Sequence, residues 1–349
     1  MTTKMTTKLK LTVKQNKEKN KQKTNKYKTR NTRHSLQSIT ILSYNISWES
    51  MSGNDSKWAL CNNNTDSTNP RHNSVCVKNI ANVIDDYESI DSSNNTDNYI
   101  DFITLQESTD FKKLIEQSTK LKMMKYTIHK SGLDTITTFW NDNSSKNSSR
   151  TSSGINKGYK LLYTIKGEFE NGRPWMATVF NKSNSNSNSK SKSNMDMLCL
   201  INVHMGHYEQ DEQIDKLDNM LIDIKKQLDK LSKNGKKHNH TNIRYVVSGD
   251  FNFDMKLFGS RTSSIKNVKQ NINININIKK KTQFKTNNKV IMFGGTLFYY
   301  NEKHILTCCI NRRKHNDHVL DSFHKPLDII IPDVNFMASD HKPIIVKLK

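Results

Sequence analysis

No two of the five cysteines, at positions 61, 76, 199, 308 and 309, stand in a CxxC arrangement, and the odd number leaves one without a mate. That pattern argues against a zinc site and against a disulfide framework, so reduced thiols in a reducing compartment are the expectation. The chain also lacks an apolar stretch long enough to span a bilayer, and its basic N-terminus has no apolar core behind it. Neither a transmembrane helix nor an export signal is predicted, and a soluble, intracellular protein follows, with nucleus and cytoplasm equally open. Asn45-Ile46-Ser47 has the form of a glycosylation acceptor, which carries no weight without export. There is no internal repeat. Acid is scarce as well: 33 Asp and Glu stand against 55 Lys and Arg, a formal charge of +22 over 349 residues.

That charge is unevenly spread. Residues 1–34 hold ten Lys and two Arg against the single acid Glu18, almost without apolar periodicity, the composition of a solvated tail, placed here at 1–36. The stretch 181–194 is nearly all Asn, Ser and Lys, and 261–289 has eight basic residues and no acid, with Asn and Ile alternating from 271 to 278. Both read as low-complexity insertions. The tail carries +11 and the 261–289 stretch +8, which leaves +3 for everything else. A nearly neutral body of one large domain, 37–349, with basic appendages is therefore predicted. Those appendages suit a polyanion such as nucleic acid or an anionic lipid surface. The bias towards Lys, Asn and Ile fits an AT-rich genome equally well.

Short apolar runs suited to buried strands occur at 39–44, 102–105, 126–129, 135–140, 159–165, 175–180, 197–203, 244–248, 290–293, 327–331 and 344–348. Helical spacing appears at 75–87, from 111, and most clearly at 211–231, where Ile214, Leu217, Leu221, Ile224, Leu228 and Leu231 form one stripe with acids early and lysines late. Strands outnumber helices and follow one another directly, which fits two packed sheets with helices outside better than a doubly wound parallel sheet.

Polar residues of particular kinds stand where these strands end: Asn45 after Leu42-Ser43-Tyr44, Glu107 after Leu105-Gln106, His204 after Asn202-Val203, Gly249-Asp250-Phe251-Asn252 after Ser248, and Ser339-Asp340-His341. Loops at strand ends are where a scaffold displays catalytic groups. Asp328 stands alone inside the apolar run 327–331, where a carboxylate is costly unless partnered. Taken singly, each has an ordinary explanation as a turn residue, a helix-start acid, or a core or surface histidine.

As an ordered set they resemble the endonuclease/exonuclease/phosphatase superfamily, the group of deoxyribonuclease I, apurinic/apyrimidinic endonucleases, mRNA deadenylases, inositol polyphosphate 5-phosphatases and neutral sphingomyelinases. GDFN at 249–252 and SDH at 339–341, followed by Pro343, carry most of the resemblance, with LQE at 105–107 next and the YN and NVH pieces in order. It implies a deoxyribonuclease I-like α+β fold, a four-layer sandwich of two mixed sheets flanked by helices, with the site at one rim.

A phosphodiester repels hydroxide, so its hydrolysis needs a cation, a fixed water and neutralisation of the oxyanion. The resemblance implies that Glu107 and Asn45 hold Mg²⁺ or Mn²⁺, with Asp340 a further metal or supporting carboxylate. Asp250 would orient or deprotonate the water and Asn252 hold it or a phosphate oxygen. His204 would donate to a nonbridging oxygen, and His341 would do the same or act as acid or base. By family position the partner of His341 is Asp328. Arg173, in Gly172-Arg173-Pro174, would approach substrate or make a surface salt bridge, and His207 is given no role. The chain departs from the apurinic endonucleases in continuing after Asn45 as Ile46-Ser47-Trp48-Glu49 and in lacking a counterpart of their mid-domain tyrosine. A nuclease for DNA or RNA is the leading expectation, a phosphoinositide or phospholipid phosphoesterase the alternative, and a non-catalytic binding protein a third reading.

Overall fold

A computed structural model describes residues 39–47, 74–86, 100–142, 158–182, 197–234, 243–254, 288–301, 307–308, 315–323, 327–331 and 339–348. The tail, and all but the edges of the two insertions, lie outside the described residues.

Chain order is β1 (Ile39–Asn45), α1 (Ser74–Asp85), β2 (Phe102–Gln106), α2 (Phe111–Gln117), α3 (Thr119–Met123), β3 (Lys125–Ser131), β4 (Asp134–Trp140), β5 (Tyr159–Phe169), β6 (Arg173–Lys182), β7 (Met197–His204), α4 (Gln210–Asn234), β8 (Ile243–Asp250), β9 (Asn288–Phe293), β10 (Thr296–Asn301), β11 (Asp317–Asp321), β12 (Leu327–Ile330) and β13 (Ile344–Leu348). Six strands form one sheet, in the order β12-β13-β1-β2-β4-β3, and seven the other, β5-β6-β7-β8-β11-β10-β9. Each sheet has one parallel pair, β1–β2 and β7–β8. Parallel neighbours need a long crossover, and α1 and α4 lie within those two connections.

Side-chain alternation sorts the core into layers. On β1 and β2, Leu42, Tyr44, Ile103 and Leu105 pack against Val77, Ile80, Ala81 and Ile84 of α1. The opposite face of those strands, with Ile41 and Phe102, meets Phe180, Leu200, Val246 and Val319 of the second sheet. The outer face of that second sheet, including Ile201, Val203 and Val247, lies under Leu217, Leu221, Ile224 and Leu228 of α4. Each such fully buried aliphatic side chain contributes about 1.5–3 kcal/mol. Of the stripe read from the sequence, Leu217, Leu221, Ile224 and Leu228 are thus the buried face of α4, Ile214 is partly buried and Leu231 is exposed, and the layers run helix, sheet, sheet, helix.

At the end of β8 opposite Asp250, Arg244 makes a two-pronged contact with Asp321, Nε to Oδ1 at 2.9 Å and Nη2 to Oδ2 at 2.5 Å. Both residues are buried, and Oδ1 of Asp321 also accepts from Phe323 N. Removing one member of a buried pair strands the other charge, so Asp321→Asn should lower the unfolding free energy by about 3–5 kcal/mol in urea denaturation. Asp321→Leu combined with Arg244→Leu should recover much of that loss.

Candidate active site

The alternation that builds the core also builds the site. Along the inner face of β1 the side chains read Ile41, Ser43, Asn45; on β7, Leu200, Asn202, His204; on β8, Val246, Ser248, Asp250. Each strand passes from apolar to neutral polar to functional group towards one rim. On β2 the order is Phe102, Thr104, Gln106, and then Glu107 breaks the alternation with φ of 55°, which brings its carboxylate to the same rim.

The groups meet there. Asn45 Nδ2 donates to Glu107 Oε1 at 3.2 Å and to Asp250 Oδ2 at 3.0 Å, while its Oδ1 accepts from Ser47 N. His204 Nε2 lies 3.5 Å from Glu107 Oε1 and 3.7 Å from Asp250 Oδ2. From the other side His341 Nε2 also lies 3.7 Å from Asp250 Oδ2. Asp250 Oδ1 accepts from Asn252 N, and Asn252 Nδ2 is anchored on Met205 O at 2.6 Å. Asn252 itself has φ of 56°, a conformation Asn tolerates better than most residues. Gly249, with φ of 145°, packs so closely on β7 that a Cβ would come within 2.0 Å of Val203 O, so the first residue of GDFN has to be glycine.

Each imidazole has an acid behind it. His204 Nδ1 is 2.6 Å from Asp134 Oδ2, and His341 Nδ1 is 2.9 Å from Asp317 Oδ2. The second contact corrects the sequence reading, which gave His341 to Asp328. β11 is the neighbour of β8 in the second sheet, and Asp317 stands directly opposite Asp250 in the register. β12 is the edge strand of the other sheet, with Asp328 opposite Lys347. Asp134, at the start of β4, was also missed; its position just after the turn Gly132-Leu133 is the only signal the sequence offers. Arg173 Nη1 is 3.4 Å from Asp134 Oδ2 and 3.0 Å from both ring nitrogens of His204. Equal distances to both nitrogens put the guanidinium against the ring, not in two separate hydrogen bonds. Arg173 therefore stands at the rim of the site and is about a third exposed there.

Below the loop, His318 Nε2 donates to Phe253 O at 2.8 Å and its ring packs edge-on to Phe251 at 5.5 Å. Burial drives its pKa well below the ordinary value, with the His315 charge adding to the effect, so it braces the loop as a neutral ring. The two rim histidines are opposite cases. Burial alone would push His204 down, but the hydrogen bond and charge of Asp134, with Glu107 and Asp250, outweigh it and hold the pKa above the ordinary value. For His341, burial is outweighed by Asp317 and Asp250, and its pKa stands well above that value. Burial pushes Asp317 up to about 6 against the pull of His341.

The donor set suits a hard divalent cation, which takes carboxylate and amide oxygens. Asp250, Asp317 and His341 place one ligand atom each within 4.8 Å of one another, as do Cys308, Asp340 and His341. Cys308 Sγ is 3.3 Å from His341 Nε2. Cys308 and Cys76 are each disulfide-bonded, against the expectation of reduced thiols throughout, and this takes Cys308 out of the ligand set. Asn45 turns its nitrogen, not its oxygen, between the Glu107 and Asp250 carboxylates, the place where positive charge is wanted.

No family profile and no curated protein matches the chain. Among solved structures, ANGEL2, a 2′,3′-cyclic phosphatase in complex with adenosine-2′,3′-vanadate, is similar with a TM-score of 0.50 at 13% identity, over 89% of this chain and 95% of that one. The human Nocturnin catalytic domain with bound sulfate gives 0.46 at 13% identity, over 89% and 93% of the two chains. Truncated TDP2 from Caenorhabditis elegans gives 0.44 at 11%, over 89% and 96%. At such identities a likeness concerns the fold, and the ANGEL2 superposition is the one that carries it. With two mixed sheets packed between helices, the chain has the deoxyribonuclease I-like fold of the endonuclease/exonuclease/phosphatase superfamily, as its motifs implied.

Proposed function

We propose that the chain is a divalent-metal-dependent phosphodiester hydrolase acting on nucleic acid. The observation that carries the proposal is the convergence of two histidine–aspartate pairs on a single carboxylate oxygen, Asp250 Oδ2. ANGEL2 and its nucleotide-vanadate ligand favour a nucleotide phosphodiester over a lipid one, and the charge of +22 suits a polyanion.

Mg²⁺ or Mn²⁺, held by Glu107 with Asp340 and, after rotation of its amide, Asn45, would supply positive charge at a phosphate oxygen and a bound water of lowered pKa. The rest falls to side chains. Protonated His204 and His341 each present Nε2 to the space beside Asp250, from opposite sides, and can donate to nonbridging oxygens as negative charge develops. Asp250 lies between them as the acceptor for a proton from the attacking water. Asp134 and Asp317 hold each ring by Nδ1, so Nε2 is the atom that faces substrate. Asn252 keeps Asp250 oriented through its backbone N–H, and Arg173 adds a fixed cation next to His204.

Asp250→Asn should lower kcat by about two to four orders of magnitude, since it removes the base, and should also lower Tm, since it takes a counter-charge from His204 and His341. Asp317→Asn should lower kcat strongly as well, whereas Asp328→Asn should leave it near wild type; the reverse order would restore the sequence assignment. Purified protein with Mg²⁺ should cut DNA or RNA and stop in chelator. Intact nucleic acids together with phosphate release from inositol lipids would sink the nucleic-acid reading.

Saturating Mg²⁺ should raise Tm, a stabilisation of about 2.7 kcal/mol at a hundred times Kd, and Glu107→Gln should remove most of the shift. The shift should also depend on pH. A raised histidine pKa stabilises the metal-free fold fully below the unfolded value of about 6.5. That stabilisation is lost as pH rises through the folded values of His204 and His341. The increment in Tm from Mg²⁺ should therefore grow over the same interval, as read by scanning calorimetry.

A further inference from the structure

One step in from the rim, the face between the sheets carries neutral polar side chains where a core would place apolar ones. Thr104 Oγ1 and Ser248 Oγ are 3.0 Å apart across the gap, and Gln106 Nε2 donates to Asn202 Oδ1 at 2.7 Å. All four residues have no exposed surface. An uncompensated buried amide or hydroxyl costs about 1–3 kcal/mol, and each of the four has a partner in the opposite sheet, with Gln106 Oε1 alone among their side-chain oxygens and nitrogens left without one. Face-to-face sheets share no backbone hydrogen bonds, and apolar contact is non-directional. Directional contacts between the two halves of the site come from side chains such as these.

Asn202 does the most in this layer. It belongs to the seven-stranded sheet, yet every hydrogen bond of its side chain described here ends on the other one. Oδ1 accepts from Gln106, and Nδ2 donates to Leu105 O and to Thr137 O, each at 3.1 Å. Leu105 and Thr137 are the last cross-strand pair of the β2–β4 ladder. Past them Glu107 adopts its φ of 55°, and the strands join again through Ser108 N to Thr135 O at 2.8 Å. The Asn202 amide thus occupies the break at which β2 and β4 part around Glu107. A left-handed conformation at a residue such as Glu costs about 1–3 kcal/mol and lasts only where its surroundings enforce it.

We propose that Asn202 is a positioning residue, which holds the Glu107 break from the opposite sheet and so sets the place of the Glu107 carboxylate against His204 and Asp250. The inference rests on the reading of the site as a divalent-metal centre. His204 follows two residues later on the same strand, so one rigid segment fixes a ligand carboxylate through its Asn and supplies an imidazole through its His.

The test uses full-length protein freed of metal and titrated with Mn²⁺, with the shift in Tm recorded beside kcat and KM on the nucleic acid that the wild type cuts fastest. Asn202→Leu keeps the number and branching of side-chain heavy atoms and removes all three bonds. Leu200→Ala, in the apolar part of the same strand, is the control for lost stability alone. Asn202→Leu should weaken Mn²⁺ binding about 10- to 100-fold and lower kcat with little effect on KM. Leu200→Ala, for an equal or larger fall in metal-free Tm, should bind Mn²⁺ as the wild type does. If Asn202→Leu does not fold, Asn202→Ser, which shortens the side chain and breaks the same reach, is read the same way. Wild-type Mn²⁺ affinity in the Asn202 variants, or affinity that falls in step with Tm across all variants, overturns the positioning role. A wild type that gains no stability from Mn²⁺ overturns the metal centre itself.

Discussion

Charge buried at the end of a β-sandwich is the constraint on which the rest of this structure depends. Asp250, Asp317, His204 and His341 are nearly inaccessible to solvent, and ionised groups survive there only if each finds a counter-charge and a hydrogen bond. The answer is alternation of sign: Asp134, His204, Asp250, His341 and Asp317 follow one another as acid, base, acid, base, acid. Each imidazole lies between two carboxylates, which is why the pKa of both is raised despite burial. Such a chain brings one central carboxylate and two imidazole Nε2 atoms to a single place.

The constraint also explains the gradation along each strand. A sheet face that ran apolar to its last residue could not carry ionised side chains next to it without stranding them. Between Leu200 and His204, and between Val246 and Asp250, stand Asn202 and Ser248, which tie the two sheets together where their directions must be exact to fractions of an ångström.

Much of this was legible in the sequence because the strands that build the site obey a period of two and end on residues of recognisable chemistry. Asn45, Glu107, His204, Asp250, Asn252 and His341 were all named from strand ends, and all lie at one rim. What was not legible is instructive. β11, Asp317–Asp321, offers only two apolar letters in five, yet every one of its residues is buried. Its polar members are taken up by His341, by Phe253 O and by Arg244, contacts between residues up to 77 positions apart that no local pattern announces. The run 327–331 looks far more like a core strand, and family position placed there the partner that the structure gives as Asp317. β10 went unread for a related reason, since Thr296–Asn301 carries its tyrosines where alternation offers no clear face. Asp134 was hidden because an acid after a turn is ordinary until the fold sets it behind a histidine.

The direction of the strands has one more effect. β8 runs towards the rim and stops there at Asp250, and β9 enters from that side and runs away from it, being antiparallel to β10, which in turn is antiparallel to β11. The described chain thus leaves the sheet after β8 and re-enters it at β9 on the side of the rim. At the far pole the described chain leaves β6 and re-enters at β7, because β6 runs away from Arg173 and β7 runs back towards His204, so the two breaks in the sheet open at opposite ends of its strands.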